Sequence, residues 1–138
     1  MNQGVTYDTG MLIALERHKS GALHVHERLR ERMIRITVPI PVVAEWWRGR
    51  TDDRDDILRA VEVELGESAR VAAMHAGEAL AELHPKKPGE LCRSRFLVDA
   101  IVMASAALRG DAVYTSDVED LSRFAQRFPG VRLLSPRG

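Results

Sequence analysis

Cysteine occurs once in these 138 residues, at Cys92. A single thiol closes no intramolecular disulfide, and with no Cys or His beside it at ligand spacing it is no part of a zinc site. Excess charge is missing too. Twenty Lys and Arg balance 20 Asp and Glu, which argues against a general electrostatic binder of DNA or RNA, because such proteins carry a basic surplus. No apolar run approaches the ~20 residues that cross a bilayer, and the N-terminus has no basic segment followed by an apolar core and a cleavage site. Neither Gly-x-Ser-x-Gly nor Gly-x-x-x-x-Gly-Lys-Ser/Thr occurs, which removes a serine-nucleophile elbow and a phosphate loop. Repeats and low-complexity tracts are absent. The expectation is one domain over residues 1–138, without a membrane partner, in a reducing, cytoplasmic setting.

What is present is a regular alternation of short β-like runs with longer stretches of helical period. Val5-Thr6-Tyr7 reads as a strand ending at Asp8, followed by a helix from Met11 to Glu16. A helix over about Leu23 to Met33 leads into a strand from Ile34 to Val38. Pro39 and Pro41 break the pattern, and Pro41 suits the first position of a helix from Val42 to Arg48, with Glu45 one turn in. Asp52-Asp53 cap a helix from about Asp55 to Leu65, which Gly66 ends. An extended piece at Ala69 to Val71, a helix from Met74 to His84 and a loop from Lys86 to Leu91 follow. Arg95 to Leu108 carries the strongest helical pattern, with Phe96, Ala100, Met103, Ala104 and Ala107 on one face and Gly110 as a stop. A strand at Ala112 to Thr115, a helix from Val118 to Arg127 and a strand at Val131 to Leu134 complete the chain. Such alternation predicts an α/β fold with a central, mainly parallel sheet covered by helices on both faces. Ligands of such sheets bind beyond the carboxyl ends of the strands.

Four carboxylates stand out because each lies within an apolar run: Asp8, Glu45, Asp99 and Asp117. An uncompensated acid at the edge of a core costs several kcal/mol, so four of them ask for a shared compensator. Asp8 and Asp117 fall just past strand ends, and Glu45 and Asp99 on early helical turns, so all four are expected at one edge of the sheet. Crowded acids repel one another and take up protons unless a cation joins them. Oxygen donors alone point to a hard ion, Mg²⁺ or Mn²⁺, and such an ion suits phosphodiester hydrolysis. Taken singly, Asp8 and Asp117 are also ordinary helix caps, and Glu45 and Asp99 could pair with arginines.

These residues resemble the PIN-domain nucleases, specifically VapC-type ribonuclease toxins of bacterial toxin–antitoxin pairs, over nearly the whole chain. The opening Val5-Thr6-Tyr7-Asp8-Thr9-Gly10-Met11-Leu12-Ile13, the helical Glu45 after a proline, Asp99-Ala100-Ile101-Val102-Met103-Ala104, and Thr115-Ser116-Asp117-Val118-Glu119-Asp120-Leu121 match the family pattern in order. The pattern departs at Gly10, where the family commonly has Asn, so Asp8 receives no side-chain support from there; the backbone turn survives. The resemblance implies a PIN-like three-layer α/β/α sandwich and a Mg²⁺- or Mn²⁺-dependent endoribonuclease toxin cleaving structured RNA such as tRNA or rRNA. It also implies a homodimer and a cognate antitoxin whose tail enters the acidic groove. Asp8 and Asp99 would be the main metal ligands, with Glu45 and Asp117 binding directly or through water, Asp120 as a subsidiary candidate, and Thr115 bonding a carboxylate or water.

Other residues carry less. His24 and His26 are two apart and cannot share an ion on a helix. Trp46 and Trp47 could stack on bases, although a core or interface role is commoner, and Arg48 and Arg50 could meet RNA phosphates or the antitoxin. Lys86, Lys87, Arg93 and Arg95 form a basic group. The competing readings are a PIN-like domain that only binds a partner, against which the full acid set argues, and a phosphate-accepting receiver, whose paired acids and late lysine are missing.

Overall fold

The computed structural model describes residues 3–83 and 96–136. Its central strand, β1 (Val5–Tyr7), is three residues long and buried throughout. α1 (Thr9–Glu16) and α2 (Ser20–Glu31) carry the chain over to β2 (Ile36–Pro39), and α3 (Ile40–Trp46) and α4 (Asp52–Arg59) carry it to β3 (Glu62–Glu64). The direction then reverses. α5 (Gly66–Leu83) and α6 (Leu97–Arg109) lead back to β4 (Ala112–Tyr114) on the far side of β1, and α7 (Val118–Ser122) precedes β5 (Leu133–Leu134).

The sheet order is β3-β2-β1-β4-β5, and every pairing is parallel. Because right-handed crossovers in opposite directions use opposite faces, α1–α4 cover one face and α5–α6 the other. The layers are those the strand–helix alternation predicts. On the first face Met11, Leu12, Leu15, Val42 and Trp46 are buried; on the second, Ala72, Ala76, Ala79 and Leu80 of α5 meet Ala100, Met103 and Ala104 of α6. Alanines spaced by helical turns let these two helices approach closely. No helix among the described residues is long and apolar enough to cross a membrane.

Several boundaries differ from the sequence expectation. Residues 62–64 form β3, paired to Thr37, Val38 and Pro39, where a helix was expected to continue to Leu65. α4 therefore starts three residues earlier, with Thr51 as its cap, the hydroxyl accepting from the Arg54 N–H at 3.1 Å. Ala69 to Val71, read as extended, lies within α5, and Gly66 opens that helix with φ +70° instead of closing the previous one. Beyond Ser122 the chain turns on itself, burying Phe124 and Phe128, so the last helix is shorter than predicted. The expected loop at residues 86–91, His84, Cys92 and the basic group at residues 86–95 lie outside the described residues.

The sheet also buries a charged cluster with no sequence signature. Arg109 ends α6 with 16% of its side chain exposed; it pairs with Glu64, which is 4% exposed, and with Asp111, 3% exposed, at 2.9 Å. It also donates to Thr6 Oγ1 at 2.8 Å. Thr6 in turn donates to Asp111 at 2.9 Å, and Ser105 to Glu64 at 2.9 Å. Each buried acid thus receives a charge-assisted bond, the condition for an ion cluster to be tolerated inside a core.

Candidate active site

The chain runs from β1 outward to β3 and then returns to β4, so the strand order reverses between β1 and β4. Adjacent crossovers leave this switch point in opposite directions, opening a crevice beyond the strand ends. Asp8 follows β1 there, and Thr115 to Asp117 follow β4.

Asp8 is 6% exposed and extended (φ −91°, ψ 179°), capping α1. Its Oδ1 accepts the Met11 N–H at 2.8 Å, and the Thr115 hydroxyl bonds the same carboxylate. Thr115, fully buried, also accepts the Asp117 N–H at 2.9 Å, so one hydroxyl ties the end of β4 to the end of β1. Burial raises the Asp8 pKa to about 6; the bonds from Thr115 and Met11 oppose the rise, while the charges of Asp117 and Glu45 add to it.

Asp99 sits in the first turn of α6, partly buried. Burial first, and then the charges of Asp8, Asp120, Glu45 and Asp117, push its carboxyl up to about 7. The other four sequence-predicted acids thus all lie within electrostatic reach of Asp99. Glu45 is exposed on the last turn of α3, not the first, because the helix begins at Ile40 and ends at Trp46. The Thr9 hydroxyl donates to its Oε1 at 2.5 Å. Asp117 caps α7, taking the Asp120 N–H at 3.1 Å. Asp120 has Arg123 at 3.7 Å. Among the described residues, no Lys, Arg or His forms an ion pair with Asp8, Glu45, Asp99 or Asp117, so the arginine pairing that would make them purely structural is not found.

Held by these local bonds, the carboxylates do not yet converge: among the described residues no three acids, His or Cys stand close enough to hold one ion. Asp8 is turned to Met11 and Thr115, Glu45 to Thr9, and Asp117 to its own helix. A divalent cation fits the set in donor chemistry and in charge. The donors are all oxygen, the pKa values of Asp8 and Asp99 are lifted by burial and by the neighbouring carboxylates, and side-chain rotations would be needed to bring the donors together.

Some expected contacts fall elsewhere. Trp46 is core, 1% exposed, with its Nε1–H on Glu16 at 2.9 Å, so it offers no face to a base. Arg48 lies 3.5 Å from Glu16 and Arg50 3.3 Å from Asp55. His26 turns inward, its Nδ1 2.9 Å from the Tyr7 hydroxyl, while His24 faces solvent. Two contributors escaped the sequence reading. Thr9 is one, signalled only by its place after Asp8. Ser116 is the other: a Cβ at Gly10 would lie 2.0 Å from its Oγ and 3.5 Å from Asp8 Oδ1. Glycine at position 10 thus makes room for the Ser116 hydroxyl beside the cluster.

A five-stranded parallel sheet between two helical layers, with acids gathered at the switch point, defines a PIN-like α/β fold. Solved structures share it. A chain of the DNA-bound VapBC from Salmonella typhimurium superposes with a TM-score of 0.67 at 20% identity, over 97% of this chain and 98% of that one. A chain of VapBC2 from Rickettsia felis, bound to a DNA fragment from their promoter, gives 0.65 at 16% identity, over 95% and 97%. At such identities the likeness is one of fold. No protein-family model matches the sequence, and no curated protein does.

Proposed function

We propose that this chain is a Mg²⁺- or Mn²⁺-dependent endoribonuclease, the toxin of a toxin–antitoxin pair, acting on structured RNA such as tRNA or rRNA. The observation that carries this reading is the group of five acids about the β1/β4 switch point, two with raised pKa and four without a cationic partner among the described residues. Structural acids of this kind would be paired or capped in full; acids kept short of positive charge suit a ligand that supplies it. The shared fold with VapBC chains supports a cognate antitoxin as partner; that the toxin acts as a homodimer rests on the resemblance of the sequence motifs alone.

Asp8 and Asp99 would hold the ion, with Glu45 and Asp117 completing its surroundings directly or through water and Asp120 at the margin. When bound, the ion supplies Lewis-acid stabilisation of the phosphate charge and lowers the pKa of a nearby water. Thr115 fixes the Asp8 carboxylate at the floor of the crevice. Glu45, exposed and steadied by Thr9, can accept the proton that the attacking water loses. The phosphodiester then opens as the phosphorus–oxygen bond to the leaving ribose breaks.

Asp99→Asn is expected to abolish Mg²⁺- or Mn²⁺-dependent RNA cleavage with circular dichroism unchanged. Undiminished cleavage by that variant refutes the assignment, and a wild-type chain that binds its antitoxin yet cleaves nothing identifies a partner-binding domain instead.

A further inference from the structure

Beside the acids lies a cleft of about 830 Å³, within the roughly 300–1,000 Å³ usual for ligand sites. Gly10, beside Asp8, and Ser116 line it together with Arg17, Lys19 and Ser20. A polyanion approaching five carboxylates is repelled unless cations stand close by. Most cations near the crevice are already engaged: Arg48 and Arg54 on Glu16, Arg50 on Asp55, Arg123 on Asp120. Arg17 and Lys19 are exposed and have no acidic partner among the described residues. The turn that presents them is fixed. His18 between them adopts φ +56° and bonds Asp53 at 3.1 Å, while the Lys19 N–H bonds Ala14 O at 3.0 Å. Lys19 precedes α2 without any side chain capping that helix, and Ser20, Gly21 and Ala22 of its first turn line the same cleft.

We infer that this cleft holds the RNA backbone adjoining the scissile bond, with Arg17 and Lys19 each neutralising one phosphate. The inference rests on the ribonuclease reading above and adds the path by which the strand enters. The rest of the strand would leave the crevice along the α1–α2 turn, over Gly10 and Ser116, where the missing side chain at position 10 keeps the floor low. Such contacts position any sequence equally, since phosphates carry no base identity.

The test uses full-length protein carrying Asp99→Asn to silence cleavage, with and without Arg17→Gln/Lys19→Gln, and a short fluorescein-labelled single-stranded RNA read by anisotropy. Removing two phosphate contacts should weaken binding about tenfold and reduce the slope of log affinity against log salt by about 1.4. In the cleavage-competent background the same pair should raise KM with little change in kcat, and Arg17→Lys/Lys19→Arg should restore both affinity and slope. Unchanged affinity and slope, while the wild-type protein still binds and cleaves RNA, overturn the cleft assignment alone. Undiminished RNA affinity with lost binding of the cognate protein partner gives the cleft to that partner and overturns it as well. A parent protein that neither binds nor cleaves RNA removes the ribonuclease reading and this inference together. Equal melting temperatures of parent and variant serve as the folding control.

Discussion

Replacing Asp8 by Asn should make the metal-free protein more stable at neutral and alkaline pH while destroying its cleavage activity. Burial lifts the Asp8 carboxyl from its ordinary 3.8 to about 6. The folded state therefore holds this proton more tightly than the unfolded chain, and its contribution to stability is complete below about pH 3.8 and lost as the pH rises through about 6. At about 1.4 kcal/mol for each tenfold step, the gap from 3.8 to about 6 is about 3 kcal/mol by about pH 8. An asparagine never ionises, caps a helix as well as aspartate does, and keeps the bond from the Met11 N–H. Urea denaturation in excess chelator should accordingly show the variant ahead by up to about 3 kcal/mol at about pH 8, with the difference vanishing near pH 4. A variant no more stable than wild type at the higher pH refutes the account of Asp8 as an acid held against its own charge.

Divalent metal should act in the opposite sense on the wild type. Millimolar Mg²⁺ or Mn²⁺ should raise the melting temperature more at about pH 8 than at about pH 5, because ions compete with protons for Asp8 and Asp99, and a pH-independent shift or none counts against a shared site. Arg109→Met should cost about 3–5 kcal/mol by chemical denaturation, since it leaves Glu64 and Asp111 buried without their cation; a loss below about 1 kcal/mol would mean that water or rearrangement compensates them.

The elements that frame the crevice were readable because each announces itself locally. Val5 to Tyr7 is bounded by an acid that caps the next helix, and Gly110 marks the end of α6 with φ +72°. The acids were readable for the same reason, standing in apolar runs where a carboxylate is unexpected. β3 was not. Its three residues alternate with charge, and pairing to β2 decides their conformation, which no short window records. Nor could Glu64 be told from a surface residue, for its partner Arg109 lies 45 positions away. Glu45 was singled out as a candidate but placed at the wrong end of its helix, because Ile40 already adopts helical geometry ahead of Pro41. Trp46 follows the commoner of its two readings, enclosed in the core.

The crevice joins the two ends of the chain: Asp8 and Asp117 stand 109 positions apart in sequence, yet the Thr115 hydroxyl bonds the carboxylate of one and the backbone of the other. β1 finds its neighbour β4 only after α5 and α6 have been made. During synthesis the crevice is consequently incomplete for most of the chain's length, with Asp8 waiting for a strand that has not yet left the ribosome. A truncated product ending before β4 lacks the central pairing as well as two of the acids. The topology therefore acts as a timer, withholding the assembled crevice until β4 and the turn after it are available to fold.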